Sequence, residues 1–119
     1  MDQMMPRIWV CTDTEDGTCP PGYRPVSSYD DIAYEINEWE VWEINFQMQV
    51  GNLPRADDNC NARGLLSLIE NHMIRHVDYV VPLMFCHEAE PRDREWIEKR
   101  IISILKWAKH SRREVRRDA

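Results

Sequence analysis

The sequence predicts a small α/β domain: a three-layer sandwich with a mainly parallel sheet, built in the order β-α-β-α-β-α. Three observations predict it. Short apolar runs alternate with longer stretches of helical period, and strands that alternate with helices imply right-handed crossovers and a parallel sheet covered by helices on both faces. Residues 42–50 keep a period of two, with Trp42, Ile44, Phe46 and Met48 on one side and Glu43, Asn45, Gln47 and Gln49 on the other. The length, 119 residues with 43% apolar, suits one domain with a single modest core.

The elements follow in order. Arg7-Ile8-Trp9-Val10-Cys11 is a short strand, mostly apolar on both faces as a central strand is. Thr12 to Pro25 is rich in Asp, Gly and Pro and reads as a loop. Ser28 followed by Asp31 signals a helix start, and Ile32, Ala33 and Ile36 share one face of a helix from about Tyr29 to Glu38. After the alternating strand comes a polar loop, Asn52 to Asn61, with Pro54, Asp57 and Asp58. Leu65, Leu66, Leu68, Ile69 and Met73 form the stripe of a helix over Ala62 to His76. Pro82 opens a strand to Cys86, a position that proline tolerates. Pro91 begins the last helix, which runs at least to Lys109 with Ile97, Ile101, Ile104, Leu105 and Ala108 inward. The domain is expected over 1–110, with a basic tail over 111–119.

Charge narrows the function. Residues 106–119 carry six cations against Glu114 and Asp118, a net +4, which leaves the rest of this −6 chain near −10. Such a body argues against nucleic-acid binding over a broad surface. The basic tail reads either as a contact for a phosphate or RNA, or as cations suited to a helix C-terminus. No apolar run approaches the ~20 residues needed to span a bilayer, and Met1-Asp2-Gln3-Met4-Met5 has no signal-peptide layout, so a cytoplasmic location is expected. Cys11, Cys19, Cys60 and Cys86 lack C-x-x-C spacing; free thiols are expected, with a structural zinc site as the alternative.

In open parallel sheets ligands bind beyond the carboxyl ends of the strands. Here those ends are Cys11-Thr12-Asp13, Gln47-Met48-Gln49-Val50-Gly51 and Cys86-His87-Glu88-Ala89-Glu90-Pro91. The last runs into a helix start, where free backbone N–H groups favour anions. The candidate ligand-binding set is therefore Thr12, Asp13, Gln47, Gln49, Gly51, His87, Glu88, Glu90, Arg92 and Trp96. His87 reads as a phosphate donor, as a ribose acceptor or as a structural histidine. Trp96 reads as a stacking platform for a base or as packing. No G-x-x-x-x-G-K-[ST], G-x-G-x-x-G or nucleophile-elbow serine is present, so no cofactor is expected. His72 and His76, spaced i, i+4, read as a metal pair or as cations at a helix end. Trp9 and Trp42 are expected in the core, and Trp107 at a subunit interface of a homodimer.

The strand ends resemble a family, the cyclic-phosphate processing receiver-like domains of bacterial and phage proteins. The resemblance spans about residues 7–105. Members have a first strand ending in two aspartates and then a Pro-Gly-aromatic loop, matched here by Pro21-Gly22-Tyr23. Their second strand ends Asp-His-Asp-Leu-Gly, where this chain has Gln47-Met48-Gln49-Val50-Gly51. A glycine opens the next helix, as Gly64 does, and His-Ser-x-Asn-Pro is matched by His87-Glu88-Ala89-Glu90-Pro91. The aspartates are replaced by Cys11, Thr12, Gln47 and Gln49. The resemblance implies a receiver-like, Rossmannoid fold and action on cyclic phosphates of nucleotides or RNA ends. The replacements turn that implication toward binding without turnover, such as sequestration of a cyclic nucleotide signal in phage counter-defence. Two alternatives stand beside it: a protein-interaction domain with a vestigial pocket, and a residual phosphodiesterase in which His87 acts with Glu88 or Glu90 as general acid and base.

Overall fold

The computed structural model describes residues 5–51 and 59–117. The Pro54, Asp57 and Asp58 part of the expected polar loop lies outside the described residues. The elements are β1 (Arg7–Val10), β2 (Arg24–Val26), α1 (Tyr29–Asn37), β3 (Glu43–Phe46), α2 (Ala62–Arg75), β4 (Leu83–Cys86) and α3 (Pro91–His110). The sheet has four parallel strands in the order β2-β1-β3-β4. The predicted α/β class with a parallel sheet is what the chain adopts. Among the described residues no helix is long and apolar enough to cross a membrane.

One strand was not foreseen. Arg24-Pro25-Val26 pairs with β1 at the sheet edge, with Val10 opposite Val26. Three residues around a proline carry no strand signal, and an outer strand is where a proline without an N–H fits. β3 is also shorter than the alternating stretch, ending at Phe46, so Gln47 and Gln49 lie in the loop beyond it.

Register explains the core. Ile8 stands opposite Ile44, which stands opposite Met84, while Val10 faces Val26. With Phe46 these side chains form one buried sheet face, packed on Ile32, Ile36, Leu65, Leu66, Ile69, Met73, Ile97 and Ile104. Burying each is worth about 1.5–3 kcal/mol. The helices lie side by side, α1 on α2 and α2 on α3, and an Arg100–Glu70 ion pair at 2.6 Å joins the last two.

The opposite face carries the other residues of each strand: Arg7 and Trp9 on β1, Glu43 and Asn45 on β3, Leu83 and Phe85 on β4. The chain moves from β1 to β2 in one direction, then from β2 to β3 and β4 in the other. A right-handed crossover therefore puts the β1–β2 connection on the face away from α1 and α2. There Tyr23, at the end of that connection, sits edge-on to Trp9 with ring centroids 5.6 Å apart. This third layer is a loop, where a helix was expected.

Caps set the helix ends. The Ser28 Oγ accepts from Asp31 N–H at 3.3 Å, and the Asn61 Oδ1 from Arg63 N–H at 2.9 Å. α1 ends on Trp39, whose φ of 61° is the left-handed geometry usual for glycine. α3 closes the same way at Arg112, φ 57°. Arg112 N–H then bonds the Lys109 carbonyl and Arg113 N–H the Ala108 carbonyl. The tail turns back so that Val115 bridges Val81 in parallel. Trp42, expected in the core, is half-buried beneath Arg116.

Candidate functional site

The three predicted strand ends do meet at one edge, laced by main-chain bonds. His87 N–H donates to the Phe46 carbonyl at 2.8 Å and Gly51 N–H to the Cys11 carbonyl at 3.1 Å. Gly51 has φ 78°, and a Cβ there would lie 2.7 Å from the Ser27 carbonyl oxygen. Only glycine fits that crossing without displacement.

His87 reaches inward from this edge. Its ring stacks on Trp9, with centroids 3.6 Å apart and planes 8° from parallel. Nε2 lies 2.9 Å from the Val10 carbonyl and Nδ1 2.9 Å from the Asn45 side-chain oxygen. Asn45 reaches the Tyr23 hydroxyl at 3.4 Å, and that hydroxyl donates to Glu43. The row ends at Arg7, whose Nε is 4.0 Å from the Glu43 carboxylate.

The carbonyl of Val10 can only accept, so Nε2 carries a proton. Burial holds the His87 pKa below its ordinary value, against the opposing pull of the Val10 carbonyl, Glu88 and Asp16. A neutral ring then accepts at Nδ1, which asks for the nitrogen end of the Asn45 amide; a half-turn of that amide supplies it. The protonated ring donates at both nitrogens and suits the amide as placed. In either state both nitrogens are engaged.

The two acids are engaged as well. One Glu88 oxygen accepts from Met48 N–H at 2.8 Å and the other from Glu90 N–H at 3.0 Å. Burial pushes the Glu88 pKa up, but the N–H groups of Glu90, Met48 and Ala89 together leave it lowered. Glu90 caps α3, accepting from Arg92 N–H at 3.2 Å and Asp93 N–H at 2.8 Å. The helix start foreseen as an anion site is thus already filled by the chain's own carboxylate.

The remaining predicted residues do not converge on a pocket. Gln47 donates to the Gln49 carbonyl and Gln49 to the Gly51 carbonyl, each at 2.9 Å. Asp13 folds its own loop by accepting from Glu15 N–H at 2.9 Å, and Thr12 beside it is half-buried. Arg92 points from the exposed first turn of α3. Trp96 is half-buried with the Arg63 guanidinium 4.9 Å above its ring.

The chemistry expected of such an edge is correspondingly limited. Cys11, Cys19 and Cys86 are free thiols, and burial first, then the charges of Asp16, Cys19 and Asp13, push the Cys11 thiol up, away from the nucleophilic thiolate. Among the described residues no three His, Cys, Asp or Glu side chains converge as metal ligands. His72 is committed elsewhere: Trp39 Nε1–H donates to its Nδ1 at 3.2 Å, and its Nε2 lies 2.8 Å from the Asn37 oxygen. His76 packs edge-on to the same Trp39.

No family model, curated protein or solved structure matches the chain.

Sequence reasoning missed Trp9, Tyr23, Glu43 and Asn45 as partners of His87. A signal was present. In a parallel sheet, the strand polar row that begins with Glu43 and Asn45 must share a face with alternate residues of its neighbours, Arg7 and Trp9 among them. The row is not solvated: Glu43 is only 4% exposed.

Proposed function

We propose that this chain is a non-catalytic binding domain that holds a nucleotide-derived, phosphate-bearing ligand and does not transform it. One observation carries the reading. His87, the one strand-end imidazole placed for acid–base work, has Nε2 on the Val10 carbonyl and Nδ1 on Asn45. A general base needs a free nitrogen within reach of the proton it removes. Glu88 and Glu90, its proposed partners, brace main-chain N–H groups instead. The resemblance to cyclic-phosphate processing receiver-like domains supports the ligand class, and sequestration of a cyclic nucleotide signal is the corresponding biological role.

The test is a thermal-shift screen with cyclic mono-, di- and trinucleotides, followed by recovery of the ligand after denaturation. A rise in melting temperature with the ligand recovered intact is expected. Accumulation of a linear product would overturn the non-catalytic reading. No shift with any phosphate-bearing compound would overturn the ligand.

A second reading, self-association, has its own observation. Phe85 is 43% exposed on the helix-free face of β4, an outer strand. If that face pairs two copies, Phe85→Ser converts a dimer to a monomer in analytical ultracentrifugation; a monomeric parent protein removes this reading.

A further inference from the structure

At the opposite edge of the sheet from the predicted site, the tail closes over a cleft of about 580 Å³ beside Trp42. We infer that this cleft, rimmed by Lys109, Arg113, Arg116 and Arg117, is the binding site for a compact phosphate ester carrying two or more phosphates. The inference rests on the ligand-binding reading above and locates it away from the carboxyl edge.

The cleft is built into the fold. Val81 N–H donates to the Glu114 carbonyl at 2.9 Å and Arg116 N–H to the Val81 carbonyl at 2.8 Å. These bonds fix the tail backbone against the segment that leads into β4. Arg116 is held 5.0 Å above the Trp42 ring and Arg113 5.4 Å from the Trp107 ring, so both guanidinium planes have a set place.

Its donors lack acceptors. Among the described residues six buried side-chain nitrogen or oxygen atoms have no hydrogen-bond partner, and three of them, Trp42 Nε1, Arg113 Nε and Arg116 Nε, belong to side chains that line this cleft. Buried polar groups are nearly always satisfied, so a cluster of orphaned donors calls for a missing acceptor. Among the described residues the rim cations also form no ion pair. Arg24, Lys99 and Arg100 each pair with a glutamate, whereas none of the ion pairs of the described residues involves Lys109, Arg113, Arg116 or Arg117. A small turn of either guanidinium in its plane offers Nε and an Nη together, the fork that grips two phosphate oxygens.

Size and charge select the ligand. The volume falls in the range of roughly 300–1,000 Å³ usual for small-molecule sites, larger than a bare phosphate needs. Four cations match a ligand with several negative charges, and the Glu114 carboxylate at the rim can accept from a sugar hydroxyl. The rest of the chain is acidic, near −10 outside residues 106–119. An extended polyanion such as RNA would meet that body beyond the cleft; a compact phosphate ester would not.

Isothermal titration of the full chain with ADP, pyrophosphate and a cyclic dinucleotide tests the site, with a single-stranded RNA 12-mer as the extended polyanion. Arg113→Gln/Arg116→Gln keeps a polar side chain and removes the two stacked charges; Lys109→Gln/Arg117→Gln changes only exposed charges and guards against a folding defect. At least one small phosphate is expected to bind, with affinity falling at least tenfold in the first variant and more modestly in the second, circular dichroism unchanged. Equal affinity in parent and both variants would overturn this location and leave the binding reading standing. Tighter binding of the RNA than of any small phosphate would overturn the compact ligand. No binding of any probe by the parent protein would overturn both.

Discussion

The His87 imidazole lies flat on the Trp9 indole at 3.6 Å, and its two nitrogens tie β4 to the Val10 carbonyl of β1 and to Asn45 of β3. A histidine at a strand end thus acts here as a rivet across β1, β3 and β4. Removing it deletes a ring stack worth about 0.5–1.5 kcal/mol and two hydrogen bonds of about 1 kcal/mol each. His87→Ala is therefore expected to lower unfolding stability by roughly 2–4 kcal/mol. Urea unfolding measures it; a loss under about 0.5 kcal/mol, the usual surface range, would mean that the rivet holds nothing.

His72 gives a pH dependence with a definite sign. Its Nδ1 accepts from Trp39, so a proton there would set two N–H groups against each other. Burial first, then the charges of His76 and Arg75, hold its folded pKa below the unfolded value of about 6.5. The unfolded chain binds the proton more readily, so stability is full above about pH 6.5 and declines as pH falls below it. An NMR titration should place the His72 midpoint below that of a free histidine, and His72→Gln should flatten the decline in stability between neutral and mildly acidic pH. A midpoint at or above about 6.5 would contradict the Trp39 contact.

The α/β class was legible because its signals are long. The stripe of Leu65, Leu66, Ile69 and Met73, and that of Ile97, Ile101 and Ile104, each repeat over two turns or more. β2 was not, because three residues around Pro25 show no period. The meeting of three strand ends was legible as well, since a parallel sheet puts all of its carboxyl ends at one edge. What each polar side chain does there was not. Glu90 as an anion-site neighbour and Glu90 as an N-cap are the same letter in a sequence, and only the distances to Arg92 and Asp93 separate them. The basic tail likewise shows its charge in sequence, but its cleft exists only once Val115 has paired with Val81.

Two glycines should behave differently on substitution. A Cβ on Gly64 would overlap the Asn59 carbonyl and lie 2.6 Å from the Tyr29 hydroxyl, so the chain before α2 must shift. Gly22, at φ 91°, has nothing within 4 Å of such a Cβ. Gly22→Ala is expected to cost only the left-handed strain, about 1–2 kcal/mol. Gly64→Ala should cost about 3 kcal/mol or more, at the upper end of overpacking. Chemical denaturation of both variants decides it, and equal losses would mean that the Asn59 turn yields freely.

The Glu90 cap gives the sharpest contrast with an anion-binding helix start. Its carboxylate satisfies the N–H groups of Arg92 and Asp93 and places negative charge at the positive end of a twenty-residue helix. Glu90→Ala is expected to cost about 1 kcal/mol, and Glu90→Asp, a good cap in its own right, to restore most of it. If the helix start were instead a phosphate site held closed by Glu90, removing that carboxylate would create anion affinity there. Comparing Glu90→Ala with the parent protein by urea unfolding, in sulfate and in chloride at equal ionic strength, separates the two. The same stability deficit in both salts is the outcome expected of a cap; a deficit that sulfate alone erases would assign the helix start to an anion after all.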